Sequence, residues 1–459
     1  MKRGDEIIVT VEKFDITGKG VAKPEGFVVF VPGGIPSQKL KIRIEKKKKS
    51  YAEGSIVEVL SRSDIEQKPL CSVFPKCGGC TWQTIPYEEQ LRVKRELIKE
   101  TFLHISGLDV EVLPVIPSPC RTFYRNKMEF SFGRDEQGLP VLGMHERGHF
   151  SRVVDVKDCI LMSEESNKIL VFFRNFAKRF NLDVYDSRTH KGLLRHVIIR
   201  EGKITGERMV NLVTTSQNLI GWIDELTHAI ILFAKKEGIR INSLLHTIND
   251  KVSDIARGDK ITLLREREYI TERINSILFR VSPYSFFQTN TLATELLYRK
   301  VEELANLSKE DKVLDLYCGT GGLGISVAGS ACMVIGVDSF DQAVQDAQEN
   351  VGLNEILNAG FQAGEVKDFL AGMVSRKEHF EAAIIDPPRE GLNANIVRAI
   401  SIIRPARIVY VSCNPATMAR DVKFFKEFYY EAGQIQPIDL FPHTSHVECI
   451  TVLESSLDE

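Results

Sequence analysis

From residue 282 onward, short apolar runs alternate with amphipathic helical stretches, a pattern that restricts this part of the chain to a doubly wound α/β sheet. A helix is expected near 290–306, ahead of "KVLDLYCGTGGLGISVAG". Then come the strand in "CMVIGVD", a helix, the strand in "FEAAIIDPP", a helix, the strand in "ARIVYVSCNP", a further helix and a last strand in "HVECITVLES". Gly319, Gly321 and Gly324 fit G-x-G-x-x-G between a strand and a helix. Glycines there let the backbone turn tightly, and Gly319 and Gly321 bring it close to a ligand. That motif alone also fits nicotinamide or flavin binding.

Ligands of open α/β sheets lie beyond the carboxyl ends of the strands. Asp315 stands just before the glycines, and an acid there favours a ligand with an amino-acid moiety over a pyrophosphate, which points to S-adenosylmethionine. Asp338 ends the next strand, about 20 residues on, where a carboxylate takes ribose hydroxyls. Asp386 is followed by Pro387, Pro388 and Arg389, and two prolines stiffen the chain just past the sheet. Cys413 ends another strand, in a turn made by Ser412, Asn414 and Pro415. The expectation is that Asp338, Asp386 and Cys413 face one pocket.

A cysteine beside a methyl donor suggests covalent catalysis. Carbon 5 of a pyrimidine is too weak a nucleophile to take a methyl group unaided. Thiolate attack at carbon 6 makes it an enolate, and a base must later remove the carbon 5 proton. Cys413 suits the nucleophile and Glu448, where a turn enters the last strand, suits the base; His443 and His446 stand nearby. Cys318 and Cys332 read as packing residues and Cys449 as a core strand residue.

These motifs, "FFQTN" (Phe286 to Asn290), "LDLYCGTGGLG", "DPPR", "SCNP" and "HVECI", resemble those of the RNA uracil-5-methyltransferases, in order through the C-terminal half. The resemblance implies Cys413 as nucleophile, Glu448 as base, and methyl-donor contacts from Gln288, Tyr317, Asp338 and Asp386. Some relatives carry asparagine where this chain has Gly322, so that side-chain contact does not carry over.

Residues 1–62 alternate apolar and polar positions between glycine-rich turns, which predicts a small OB-like β-barrel. The basic run Lys46 to Lys49 reads as a loop, suited to solvent or to a nucleic-acid backbone. "CSVFPKCGGC" places Cys71, Cys77 and Cys80 at metal-ligand spacing. Zinc and an iron–sulfur cluster both fit, with Cys120 or Cys159 as a fourth ligand. "VKDCILMS" resembles the family's fourth [4Fe–4S] ligand, which selects Cys159. The barrel resembles a TRAM domain, an RNA-binding module, and barrel and cluster together resemble the branch acting on 23S ribosomal RNA. Family members acting on transfer RNA commonly lack both. Arg125 and Lys127 in "FYRNKMEFSFG" suit either RNA phosphates or an ordinary strand surface.

The expected organisation is a TRAM-like barrel over 1–62, a central α+β iron–sulfur and RNA-binding domain over 63–281 with helices near 163–180 and 218–237, and a methyltransferase domain over 282–459. The net charge of −2 excludes a polycation, so RNA contact must come from local patches. No apolar run is long enough to span a bilayer, and the first residues lack the apolar core of a secretory signal. A cytoplasmic monomer without a membrane partner is expected. Two further readings stay open: amino-group methylation, which needs no cysteine, and a non-enzymatic iron–sulfur RNA-binding protein.

Overall fold

The computed structural model describes residues 1–217, 221–253 and 255–456. They form two compact units, one of described residues within 1–70, 80–118 and 385–456, the other of described residues within 71–79 and 119–384. No described helix is long and apolar enough to cross a membrane.

The first unit begins with a six-stranded barrel sheet whose longest strands are Lys39–Lys47 and Tyr51–Ser61. Alternation in "KLKIRI" sends Leu40, Ile42 and Ile44 to one face, where they pack with Val9, Val11, Val29, Val31 and Ala52. The basic run departs from the expected loop. Lys46 and Lys47 belong to the strand, and only Lys48 to Ser50 turn between strands. Strand geometry extends past the buried positions because the antiparallel partner continues to pair as far as Ala52 opposite Lys47.

A helix, Tyr87–Ser106, follows the barrel in this unit. Glu88 and Glu89 favour its positive N-terminal end, and Gly107 at φ 72° closes it in the left-handed conformation. Its buried face is not purely apolar: Gln90 and Lys94 lie with Val93, Leu97, Ile98 and Phe102. Val93 and Leu97 pack on Phe14, Ile35, Trp82 and Ile85. The unit ends with the antiparallel strands Arg407–Ser412 and Glu448–Ser455, the latter also pairing with Gln436–Ile438.

The second unit holds a seven-stranded sheet, including Lys127–Arg134, Pro140–Glu146 and Leu194–Glu201, with helices Glu164–Arg179 and Ile223–Glu237. The second helix was expected from 218; residues 218–220 lie outside the described residues. Beyond helix Thr291–Ala305 come the strands Lys312–Leu316, Met333–Asp338 and Ala359–Ala363, parallel to one another, and then Ala382–Ile385. The strand Ala359–Ala363 was not foreseen. Only Phe361 of its five residues is buried, so it carries no apolar run to read.

Ile42 is fully buried in the barrel core. Ile42→Ala is expected to destabilise the barrel by about 2–5 kcal/mol, read as a lower urea midpoint and faster hydrogen exchange in strands Lys39–Lys47 and Tyr51–Ser61.

Candidate active site

The turn around Cys413 is built from its neighbours. Ser412 ends the strand, and its hydroxyl accepts a hydrogen bond from the Asn414 amide at 3.1 Å. Asn414 caps the helix Pro415–Lys426, its Oδ1 accepting from the Ala416 amide at 3.1 Å, and Pro415 starts the helix where no amide is needed. Asn414 Nδ2 also donates to the Arg389 carbonyl at 2.9 Å, tying the turn to the "DPPR" segment. Buried Asp421 accepts from the Leu392 amide and the Tyr410 hydroxyl, which holds the next stretch of that segment. Cys413 is left half-buried between two anchored residues.

Strand pairing then delivers Glu448. Cys449 is opposite Ser412, so Glu448 enters the sheet alongside the Cys413 turn. Glu448 is 2% exposed. Its pKa is pushed well above the usual carboxylate range by burial and then by Asp386, while Arg389 opposes the shift. Burial also pushes Asp386 up to about 7. The Cys413 thiol is pushed up to about 11 by burial, then by Glu448 and Asp386, and is pulled back by the charge and hydrogen bond of Arg389. A thiol, two carboxyls and one guanidinium thus act on one another within this unit. The "DPPR" motif by itself gives Arg389 no role. The signal was its place after the two prolines, one turn from Asp386. Cys449 is fully buried, as a core strand residue should be.

The second unit holds the glycine turn. The Gly319 amide donates to Asp338 Oδ2 at 3.0 Å, and Asp338 Oδ1 accepts from the Phe340 amide at 2.9 Å. Tyr317 sits at φ 64°, a conformation costly for an aromatic residue, and Gly321 at φ 78°. A side chain at Gly322 would strike the Tyr298 hydroxyl at 2.0 Å, so glycine there is required by packing. Asp315 lies in the strand Lys312–Leu316, just ahead of the turn. It is buried, and its Oδ2 accepts from the Gly324 amide at 2.8 Å, stapling the turn from inside. Gln288 is half-buried, and its carbonyl accepts from Asn126 Nδ2 at 2.8 Å. Asn126, between Arg125 and Lys127, therefore anchors the "FFQTN" segment. No sequence signal marked it. Lys127 pairs with Glu129 at 2.7 Å. Cys318 is buried, but Cys332, expected to pack, is exposed just before the strand Met333–Asp338.

Cys71, Cys77 and Cys159 lie within electrostatic reach of one another. Burial first, and the neighbouring thiols after it, push up Cys77 and Cys159, the latter to about 11. The Gly79 amide donates to Cys77 Sγ at 3.4 Å. Cys80 is buried. This sulfur chemistry suits a soft metal group, yet among the described residues no three His, Cys, Asp or Glu side chains are gathered to hold a metal ion. A cavity of about 800 Å³ in this unit, lined by Arg134, Arg152, Arg188 and Asp186 among others, includes none of the predicted site residues.

A family model described as tRNA (Uracil-5-)-methyltransferase matches residues 210–456, more than half of the chain, and the TRAM domain model matches residues 1–57. The chain is 39% identical over 456 residues to an uncharacterized RNA methyltransferase of Caldanaerobacter subterraneus, covering 99% of this chain and 100% of that protein. It is 38% identical to another from Clostridium tetani, over 99% of this chain and 98% of that protein. Among solved structures, Pyrococcus abyssi tRNA (uracil-54, C5)-methyltransferase in complex with S-adenosyl-L-homocysteine matches with a TM-score of 0.76 and 29% identity, over 97% of this chain and 100% of that one.

Two outcomes follow from the electrostatics. Alkylation needs the thiolate, so modification of Cys413, followed by peptide mass spectrometry, should accelerate as pH rises towards about 11, and Arg389→Ala should move that rise to higher pH. Asp386 has its folded pKa raised from 3.8 to about 7, so its ionisation costs stability progressively as pH climbs between those values. Asp386→Asn should therefore raise the melting temperature more at pH 8 than at pH 5.

Proposed function

On the premise that this chain belongs to the tRNA (Uracil-5-)-methyltransferase family, we propose that it methylates carbon 5 of a uridine in structured RNA through a covalent adduct to Cys413. The observation that carries the reading is the mutual proximity of buried Glu448, half-buried Cys413 and the Arg389 side chain. In this reading Cys413 adds to carbon 6 as the thiolate, and the charge of Arg389 favours that form. S-adenosylmethionine supplies the electrophilic methyl group when bound. Glu448 then takes the carbon 5 proton, the freed electron pair restores the carbon 5–carbon 6 double bond, and the thiolate leaves. Gln288, Tyr317, Gly319, Gly321, Asp338 and Asp386 are the proposed donor contacts. Arg125 and Lys127 are proposed for RNA, although Lys127 gives part of its charge to Glu129. A uridine within folded RNA would be turned out of its stack, which unpaired loops make cheaper.

The proposed substrate is 23S ribosomal RNA, supported by the resemblance in the barrel and the cysteine motif. A second reading is transfer RNA. It is favoured by the Pyrococcus abyssi enzyme, whose match leaves out too little of this chain to omit the barrel. We assign the barrel, central and methyltransferase roles to residues 1–62, 63–281 and 282–459 of a cytoplasmic monomer. Cys71, Cys77, Cys80 and Cys159 are proposed to hold a [4Fe–4S] cluster that shapes the central region and its RNA surface, since methyl transfer consumes no electron.

Labelled S-adenosylmethionine, offered with unmodified ribosomal and transfer RNA, tests the reading by nucleoside analysis. Label is expected in 5-methyluridine of ribosomal RNA, lowered more than about 1,000-fold by Cys413→Ala. Label in transfer RNA alone selects the second reading, and label that survives Cys413→Ala removes the covalent mechanism. Anaerobically purified protein should be brown with bound iron and sulfide; colourless protein with stoichiometric zinc contradicts the cluster.

A further inference from the structure

The nine residues between strand Gln436–Ile438 and strand Glu448–Ser455 form a loop that ends on Glu448. Contacts from far earlier in the chain hold it. Asp439, fully buried, takes a hydrogen bond from Lys94 Nζ at 2.7 Å, and Lys94 is itself fully buried. The same ammonium donates to the Phe441 carbonyl at 3.3 Å, and Asp439 Oδ1 also accepts from the Phe441 amide at 3.0 Å. Four residues earlier on the helix, Gln90 Oε1 accepts from the His443 amide at 2.9 Å. Gln90 Nε2 in turn donates to the carbonyls of Trp82 and Ile85 at 3.1 and 2.8 Å.

His443 is held at φ 65°, a conformation that a residue with a β-carbon adopts only when its surroundings impose it. Its carbonyl accepts from the amides of Thr81 and Trp82, both at 2.9 Å. Ser445 completes the grip by donating to the Thr17 carbonyl of the barrel at 3.0 Å. A side chain added at Gly18, the neighbouring residue, would stand 2.7 Å from the Ser445 β-carbon. A buried ion pair, a buried amide and a strained residue thus converge on one short loop, and the nearest point they hold, His443, is five residues ahead of the proposed base. A loop that had only to close a hairpin would need none of them.

We propose that Gln90 and Lys94 are positioning residues for the carbon 5 proton removal: they fix the loop 439–447 and so set where Glu448 enters the site. The inference rests on the reading of Glu448 as the base. The step it governs is an elimination. The carbon 5 proton passes to the Glu448 carboxylate, its bonding pair becomes the carbon 5–carbon 6 double bond, and the carbon 6–sulfur pair returns to Cys413 as thiolate. Methyl transfer precedes this step and does not use Glu448. Loosening the loop therefore slows release and leaves the earlier steps running, which makes the methylated adduct accumulate.

Two variants test this in the full-length protein. Gln90→Leu removes the hydrogen bond to the His443 amide, and Lys94→Met with Asp439→Leu removes both charges of the pair so that neither stays buried alone. Each is assayed with labelled S-adenosylmethionine and RNA for kcat, for KM of the RNA, and for label in a denaturation-resistant RNA–protein adduct. The expected result is a kcat lowered roughly 10- to 100-fold, a KM within about twofold, and a rise in methyl-labelled adduct bound through Cys413. Unchanged kcat in Gln90→Leu overturns the proposal, as does a fall in kcat with no rise in adduct. If Gln90→Leu does not fold, the double variant decides by the same readout, and if neither folds the contacts are structural and the proposal fails. Turnover abolished by Cys413→Ala, with no adduct rise in the variants, overturns the positioning role alone. Turnover that survives Cys413→Ala overturns the mechanism on which the role rests.

Discussion

The pairing of Arg407–Ser412 with Glu448–Ser455 is the constraint on which the site depends. Its register sets Cys449 opposite Ser412 and so places Glu448 beside the Cys413 turn. A slip of one residue would send Glu448 to the other face of the sheet. Cys449, Ile450, Thr451 and Leu453 are fully buried on both faces of the strand, and a slip would force both packed faces to repack. A core built for packing thereby fixes the relation between Cys413 and Glu448, the proposed nucleophile and base.

Burial then gives these groups their chemistry. Removing a thiol and two carboxyls from water disfavours their charged forms, and each carboxylate disfavours charge on the others. Arg389 is the compensating charge. Arg389 is itself exposed, but its backbone carbonyl is fastened by Asn414 Nδ2 and its side chain hydrogen-bonds Cys413. The resting site holds its proton on sulfur, and the carboxyl intended as base has a raised proton affinity. Each group must therefore give up its proton before Cys413 can attack as thiolate and Glu448 can act as a base.

Much of this was legible in the sequence because motif and periodicity agree there. The glycine turn, Asp338 and Cys413 stand at strand ends that apolar runs announce, and "QKLKIRIEK" shows its barrel face by alternation alone. Glu448 was legible only in the company of Cys413, since one glutamate before a strand carries no signal. Other features depend on distance in the chain and leave no local trace. Gln90 and Lys94 look like ordinary helix surface residues in "EEQLRVKREL", and their burial becomes apparent only when the loop 439–447 lies against them. The bond from the Gly324 amide to Asp315 Oδ2, which staples the glycine turn, likewise has no mark in the sequence. The cysteine spacing suggests a metal, but spacing does not show how far side chains converge, and Cys332 resembles a packing residue only because it adjoins the apolar run "MVIGV", whose Met333 is itself exposed.

The central claim is that Cys413 forms a covalent bond to the RNA which Glu448 helps to break. RNA carrying 5-fluorouridine tests it most directly, because fluorine at carbon 5 leaves the base no proton to remove. Incubation with S-adenosylmethionine, digestion and peptide mass spectrometry should place a methylated fluoropyrimidine on the peptide containing Cys413. An adduct on another cysteine, or none under conditions where unsubstituted RNA is methylated, would contradict the account.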